Sequence, residues 1–156
     1  MAHLQLEPLA RLASHLVGEP VRVVFRDLLP FDADGRAGKI GPGGQWVIEL
    51  DYSLGEWRHD KFSQVFAHEL GHVWHRHTVP GATAEREADA FAARLAAEVG
   101  KNMAWRFAHE GLNFDACVYE WPRFVRFSAG LRAERAAKAP ATVKHSPAAS
   151  TRQAPA

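Results

Sequence analysis

The run His68-Glu69-Leu70-Gly71-His72 constrains this chain more than any other stretch. Two histidines four residues apart share a chemical purpose only on a helix, where side chains at that spacing stack on one face. From there both imidazoles can point at one ion. Zn²⁺ accepts neutral imidazole nitrogen, and a catalytic zinc takes three protein ligands and keeps one position for water. Glu69 follows His68 about a quarter turn round the helix, beside the place that water would occupy, where a carboxylate can act as general base. A shuffled chain of this composition contains the pattern with a probability of roughly 0.04, so the surrounding residues matter.

Those residues support a helix. From Asp60 to His77 there is no proline, and the only glycine is Gly71. Phe62, Val65, Phe66, Leu70, Val73 and Trp74 recur at helical spacing and form an apolar face. His68 and His72 flank that face, and Glu69 lies nearer its centre. Pro80-Gly81 supplies a stop for this helix.

Two histidines need a third ligand. The extended pattern HExxHxxGxxH requires glycine at position 75 and histidine at 78, but the chain has His75 and Thr78. His75 is itself a poor third ligand, because it lies roughly 10 Å along the axis from His68. A second helix supplies carboxylates instead. Thr83 can cap it, and the residues from Ala84 to Leu95 are strong helix formers. The connection is short, so the two helices should run antiparallel. Glu85 is the expected ligand and Glu87 the rival, since Glu85 sits closer to the apolar face of Ala88, Phe91, Ala92 and Leu95. Asp89, four residues after Glu85, would accept the outer N–H of a ligating histidine and fix its tautomer. His77, in the last turn of the first helix, suits the helix dipole when protonated. Tyr52, Tyr119, His75 and His109 are candidates for an additional oxyanion donor.

Elsewhere the pattern is mixed. Residues 4 to 17 suit an amphipathic helix with Leu4, Leu9, Leu12, Leu16 and Val17 inward. Val21 to Phe25 reads as a strand, residues 29 to 45 as a loop or loose hairpin, and Trp46 to Asp51 as a second strand. That second strand is assigned the edge that would pair with an extended substrate. Beyond Gly100, Trp105, Phe107, Phe114, Tyr119, Trp121, Phe124, Val125 and Phe127 are expected to pack one or two further helices on the core. The expected class is α+β: a zincin-like domain over residues 1–138, with a small sheet packed on an active-site helix hairpin and additional C-terminal helices. Residues 139–156, rich in Ala, Pro, Ser and Thr, read as a disordered tail.

Composition narrows the setting. No run approaches the roughly 20 apolar residues of a membrane span, and Met1 to Val17 lacks the pattern of a signal peptide. The single cysteine, Cys117, permits no internal disulfide and is read as a small buried residue. These features point to the cytoplasm. From Pro122 onward there are seven Lys or Arg and one Glu, against 12 basic and 17 acidic residues in the remainder. Arg123, Arg126, Arg132 and Arg135 fall on one expected helix, so a DNA-binding protein acting through that helix is an alternative function. A non-catalytic, zinc-stabilised regulatory or antitoxin-like binding module is another. Against the latter, a structural site has no use for a base at Glu69 and prefers four closed ligands.

The segment Arg58-His59-Asp60-Lys61-Phe62-Ser63-Gln64-Val65-Phe66-Ala67, the HELGH that follows it, and Glu85-Arg86-Glu87-Ala88-Asp89-Ala90-Phe91-Ala92 together resemble the ImmA/IrrE family of metallopeptidases. The resemblance spans roughly residues 20 to 98 and includes the strand Trp46-Val47-Ile48-Glu49-Leu50. It implies an intracellular zinc endopeptidase whose substrate is a cytoplasmic protein, in many members a helix-turn-helix transcriptional repressor. The chain departs from the family after Ala92, where Ala96-Ala97-Glu98-Val99-Gly100 replaces an aliphatic pair and Met-Pro. It also has no helix-turn-helix ahead of the motif.

Overall fold

Helix α1 (Glu7–Val17) begins with Pro8 in its first turn, where a missing N–H costs nothing. It ends at Gly18, whose φ of 83° is the left-handed closure that glycine adopts freely. Leu9, Leu12, Ala13 and Leu16 are wholly buried. The computed structural model describes residues 4–28, 33–40, 43–54, 59–110 and 119–139. After α1 come β1 (Val21–Arg26), β2 (Gly35–Ile40) and β3 (Gln45–Asp51), followed by helices α2 (His59–Trp74), α3 (Ala82–Glu98), α4 (Met103–Glu110) and α5 (Glu120–Ala137). The class among the described residues is therefore α+β, with one three-stranded sheet and five helices.

The sheet order is β1-β3-β2. β3 runs parallel to β1, with Val21 opposite Trp46, and antiparallel to β2, with Ala37 opposite Ile48. Gly43 (φ 86°) and Gly44 (φ 65°) supply the left-handed residues of the turn between β2 and β3. Within the loop or loose hairpin expected over residues 29–45, residues 35–40 form a hairpin strand, because pairing with β3 overrides the weak strand propensity of Gly-Arg-Ala-Gly-Lys-Ile. β3, read as a free edge for substrate, is the central strand, with both edges occupied. Among the described residues, the edge strand beside α2 is β2.

Trp46, Ile48 and Leu50 alternate onto the helical face of the sheet and join Phe62, Phe66, Leu70 and Val73 of α2 in the core. The same apolar cluster draws in residues of α1, α3, α4 and α5, including Phe107, Phe124 and Phe127. On the opposite face Glu49 accepts from Arg26 Nε (3.1 Å) and Arg36 Nε (2.7 Å), so the carboxylate buried at mid-sheet is paired from both flanking strands. Tyr119 is exposed. The expectations for Phe114, Cys117 and the tail from residue 140 fall outside the described residues.

α2 stops earlier than Pro80 would require. Arg76 takes a left-handed conformation (φ 58°), its N–H donating to Val73 O and that of His77 to His72 O, both at 3.0 Å. This is the paired closure usually built on glycine. Arg76 fills it while its guanidinium reaches Glu19 (3.0 Å) and lies over the Trp46 ring. α3 starts at Ala82 with Gly81 as its cap residue and no side-chain cap. The expected cap, Thr83, lies inside the first turn and accepts from Arg86 Nη2 instead.

α5 uses its arginines to close other helices. Arg132 Nη1 donates to the carbonyls of His15 (2.8 Å) and Leu16 (3.1 Å) at the end of α1. Arg135 donates to Trp74 O (2.5 Å) at the end of α2 and stacks on the Trp74 ring. Helix C-termini favour cations, so two of the four arginines offered for nucleic acid have an internal task. No helix among the described residues is long and apolar enough to cross a membrane.

α2 and α3 cross closely at Gly71. A Cβ there would lie 3.0 Å from both Ala88 Cα and Phe91 Cβ and 3.1 Å from Ala88 O. Two of these atoms are backbone, so relief requires the helices to separate. Gly71→Ala is expected to destabilise the protein by about 1–3 kcal/mol, read by denaturant melts. A variant that melts like the unchanged protein would contradict this.

Candidate metal centre

Antiparallel packing of α2 on α3 brings 68 opposite 89 and 72 opposite 85. His68 Nε2 lies 3.1 Å from His72 Nε2 and 2.9 Å from Glu85 Oε2, and His72 Nε2 lies 3.3 Å from Glu85 Oε1. Ligands about 2.0–2.1 Å from a tetrahedral zinc are separated by about 3.3–3.4 Å, so these three groups sit within a few tenths of an ångström of a tetrahedral face. The rings of His68 and His72 stand nearly perpendicular, 82° apart.

Proton bookkeeping tests the fit. Asp89 Oδ1 lies 2.8 Å from His68 Nδ1. A carboxylate only accepts, so the proton of neutral His68 is on Nδ1 and its Nε2 carries a lone pair. That lone pair and the Glu85 carboxylate face each other at 2.9 Å, a gap that either a bound cation or a second proton on His68 would bridge. Two imidazole nitrogens and a carboxylate are a donor set that zinc accepts. Burial acts in the same sense on His72: chiefly desolvation, opposed by Glu85 and aided by His68 and His77, lowers its pKa and keeps the ring neutral.

Glu69 is 5% exposed, and its Oε2 is buried without a hydrogen-bond partner among the described residues. A ligand atom of Glu69 lies within 4.8 Å of those of His68 and His72. Burial raises its pKa from 4.5 to about 7; nearby His68 opposes the rise and Glu85 adds to it. A carboxylate with a raised pKa is suited to exchanging protons near neutrality.

The shift has a consequence for the metal-free protein. The folded state binds the Glu69 proton more tightly than the unfolded chain does. Its contribution is therefore full below about pH 4.5 and is lost as pH rises through about 7. Glu69→Gln abolishes that loss. Metal-free variant and metal-free parent should melt alike near pH 4 and diverge by up to about 3 kcal/mol in the variant's favour at pH 8. Parallel pH profiles would contradict the assignment.

The remaining candidates fall elsewhere. Glu87 faces His77 rather than the His68–His72 pair, with Oε1 2.8 Å from His77 Nε2. His77 turns back onto His72, their Nδ1 atoms 2.9 Å apart. Tyr52 stacks on Phe25, His109 on Trp105 and His75 on His77. None of these, nor Tyr119, lines the cleft of about 880 Å³ that opens at the site. Its walls include Gly35, Lys61, His68, Glu69, Glu85 and Ala92. Gly35, which sequence reasoning missed, brings β2 against α2: a Cβ there would lie 2.7 Å from Val65 Cγ1 and 3.1 Å from Glu69 Cγ. Comparison of the chain with protein-family models, curated proteins and solved structures finds no match.

Proposed function

We propose that this chain is a zinc-dependent endopeptidase of the zincin type, resembling the ImmA/IrrE family and acting on a cytoplasmic protein. The observation that carries the reading is the meeting of His68, His72 and Glu85 within 2.9–3.3 Å beside the buried, unpartnered carboxylate of Glu69. A purely structural site has no need of that fourth group.

His68, His72 and Glu85 would hold the metal, and Asp89 fixes the tautomer of His68. Zinc, when bound, supplies Lewis acidity toward the scissile carbonyl and toward water. Glu69 takes a proton from the attacking water as its oxygen bonds to the carbonyl carbon. Glu69 then passes that proton to the departing amine nitrogen as the C–N bond breaks. The low dielectric around Glu69 favours the first transfer, because burial stabilises the neutral acid relative to the carboxylate. An extended peptide fits the free edge of β2, whose main-chain groups can add one more strand next to Glu69. A helix-turn-helix repressor is the substrate that the family resemblance suggests.

The test uses the purified full chain, a pool of fluorogenic, unstructured peptides, and a chelator followed by added zinc. Hydrolysis that the chelator stops and zinc restores supports the proposal. A zinc-loaded protein that cleaves nothing in the pool would leave the binding-module reading in its place.

A further inference from the structure

His72 has an outer nitrogen as well as an inner one, and the chain has built something against it. The left-handed Arg76 turns the backbone so that His77 N–H reaches His72 O, and the His77 ring then packs edge-on to the His72 ring with centroids 5.1 Å apart. Their Nδ1 atoms are 2.9 Å apart, so one carries the proton and the other accepts it. Glu87 decides which. Its Oε1 lies 2.8 Å from His77 Nε2, and a carboxylate requires a donor there. In its neutral form His77 is therefore protonated on Nε2 and bare on Nδ1. It accepts from Nδ1–H of His72, which leaves the His72 Nε2 lone pair facing His68 and Glu85.

We propose that His77, held by Glu87, is the positioning residue of His72, so that a Glu87–His77–His72 relay sets the tautomer and ring orientation of that ligand. The inference rests on the metal-site reading above. It gives His72 the outer partner that Asp89 gives His68, with a histidine inserted between ligand and carboxylate. It also decides between two uses of one cluster. His75, His77 and Glu87 bring ligand atoms within 4.8 Å of one another and could be taken for a second cation site. An ion on His77 Nε2 would force the proton onto its Nδ1, opposite the proton on His72 Nδ1 at 2.9 Å. Two donors cannot share that gap. While His72 serves the first metal, His77 is unavailable for a second, and the chain holds one zinc.

The test measures zinc affinity by chelator competition, zinc stoichiometry by elemental analysis, and the tautomer of His77 by ¹⁵N NMR of the zinc-loaded full chain. His77→Ala is expected to weaken zinc binding about 10–100-fold. His77→Gln, whose amide oxygen can still accept from His72, should recover part of that loss. The NMR spectrum of the unchanged protein should show His77 protonated on Nε2 and His72 on Nδ1. That measurement decides the question even if a variant fails to fold. Parent-like affinity in His77→Ala, a proton on His77 Nδ1, or two zinc ions per chain would each overturn the relay while leaving the primary site intact. No zinc binding by the unchanged protein would overturn the site reading and the relay together.

Discussion

Glu69→Gln should retain zinc with parental affinity and hydrolyse peptide at least about 10²–10⁴-fold more slowly, the range by which a positioned general base accelerates proton transfer. The amide has nearly the shape of the carboxylate it replaces at this buried position, so the loss is expected without unfolding. The metal stays because Glu69 is not one of the three converging groups. The comparison separates catalysis from binding. An endopeptidase loses turnover while keeping its ion, whereas a zinc-stabilised binding module has no turnover to lose. Undiminished hydrolysis by the variant would remove Glu69 from the mechanism.

The second large effect distinguishes two carboxylates that are two residues apart. Glu85→Ala removes a group that meets both His68 and His72 and should weaken zinc binding on the order of 10²–10³-fold, the share of one ligand in a site whose full set contributes roughly 10–16 kcal/mol. Glu87→Ala removes only the outer partner of His77, so its loss should be clearly the smaller. Chelator competition on both variants reads the order directly. Equal losses, or the larger loss at Glu87, would mean that the second helix presents a different face to the metal.

Much of this site is legible in the residues because it is written in helical periodicity. The four-residue spacings of His68 with His72 and of Glu85 with Asp89, on two short-connected helices, already place four side chains on facing surfaces. What escapes is structure set by tertiary pairing. Gly35-Arg36-Ala37-Gly38-Lys39-Ile40 has one β-branched residue, and only its ladder with β3 makes it a strand. No local pattern tells that β3 is central, since strand order depends on where the chain returns. His77 was readable only as a cation at a helix end. Its turn onto His72 depends on a left-handed Arg76, a position where the usual signal is glycine or asparagine. The reach of Arg132 and Arg135 to the ends of α1 and α2 is equally long-range, so the sequence showed their charge without its destination.

On this reading, two imidazoles of α2 and one carboxylate of α3 hold a single ion. Elemental analysis of the purified full chain, dialysed after zinc loading, tests it most directly when run beside His72→Ala. One zinc per chain is expected in the parent and close to none in the variant. A parent free of zinc, or a variant that keeps its full complement, would contradict it.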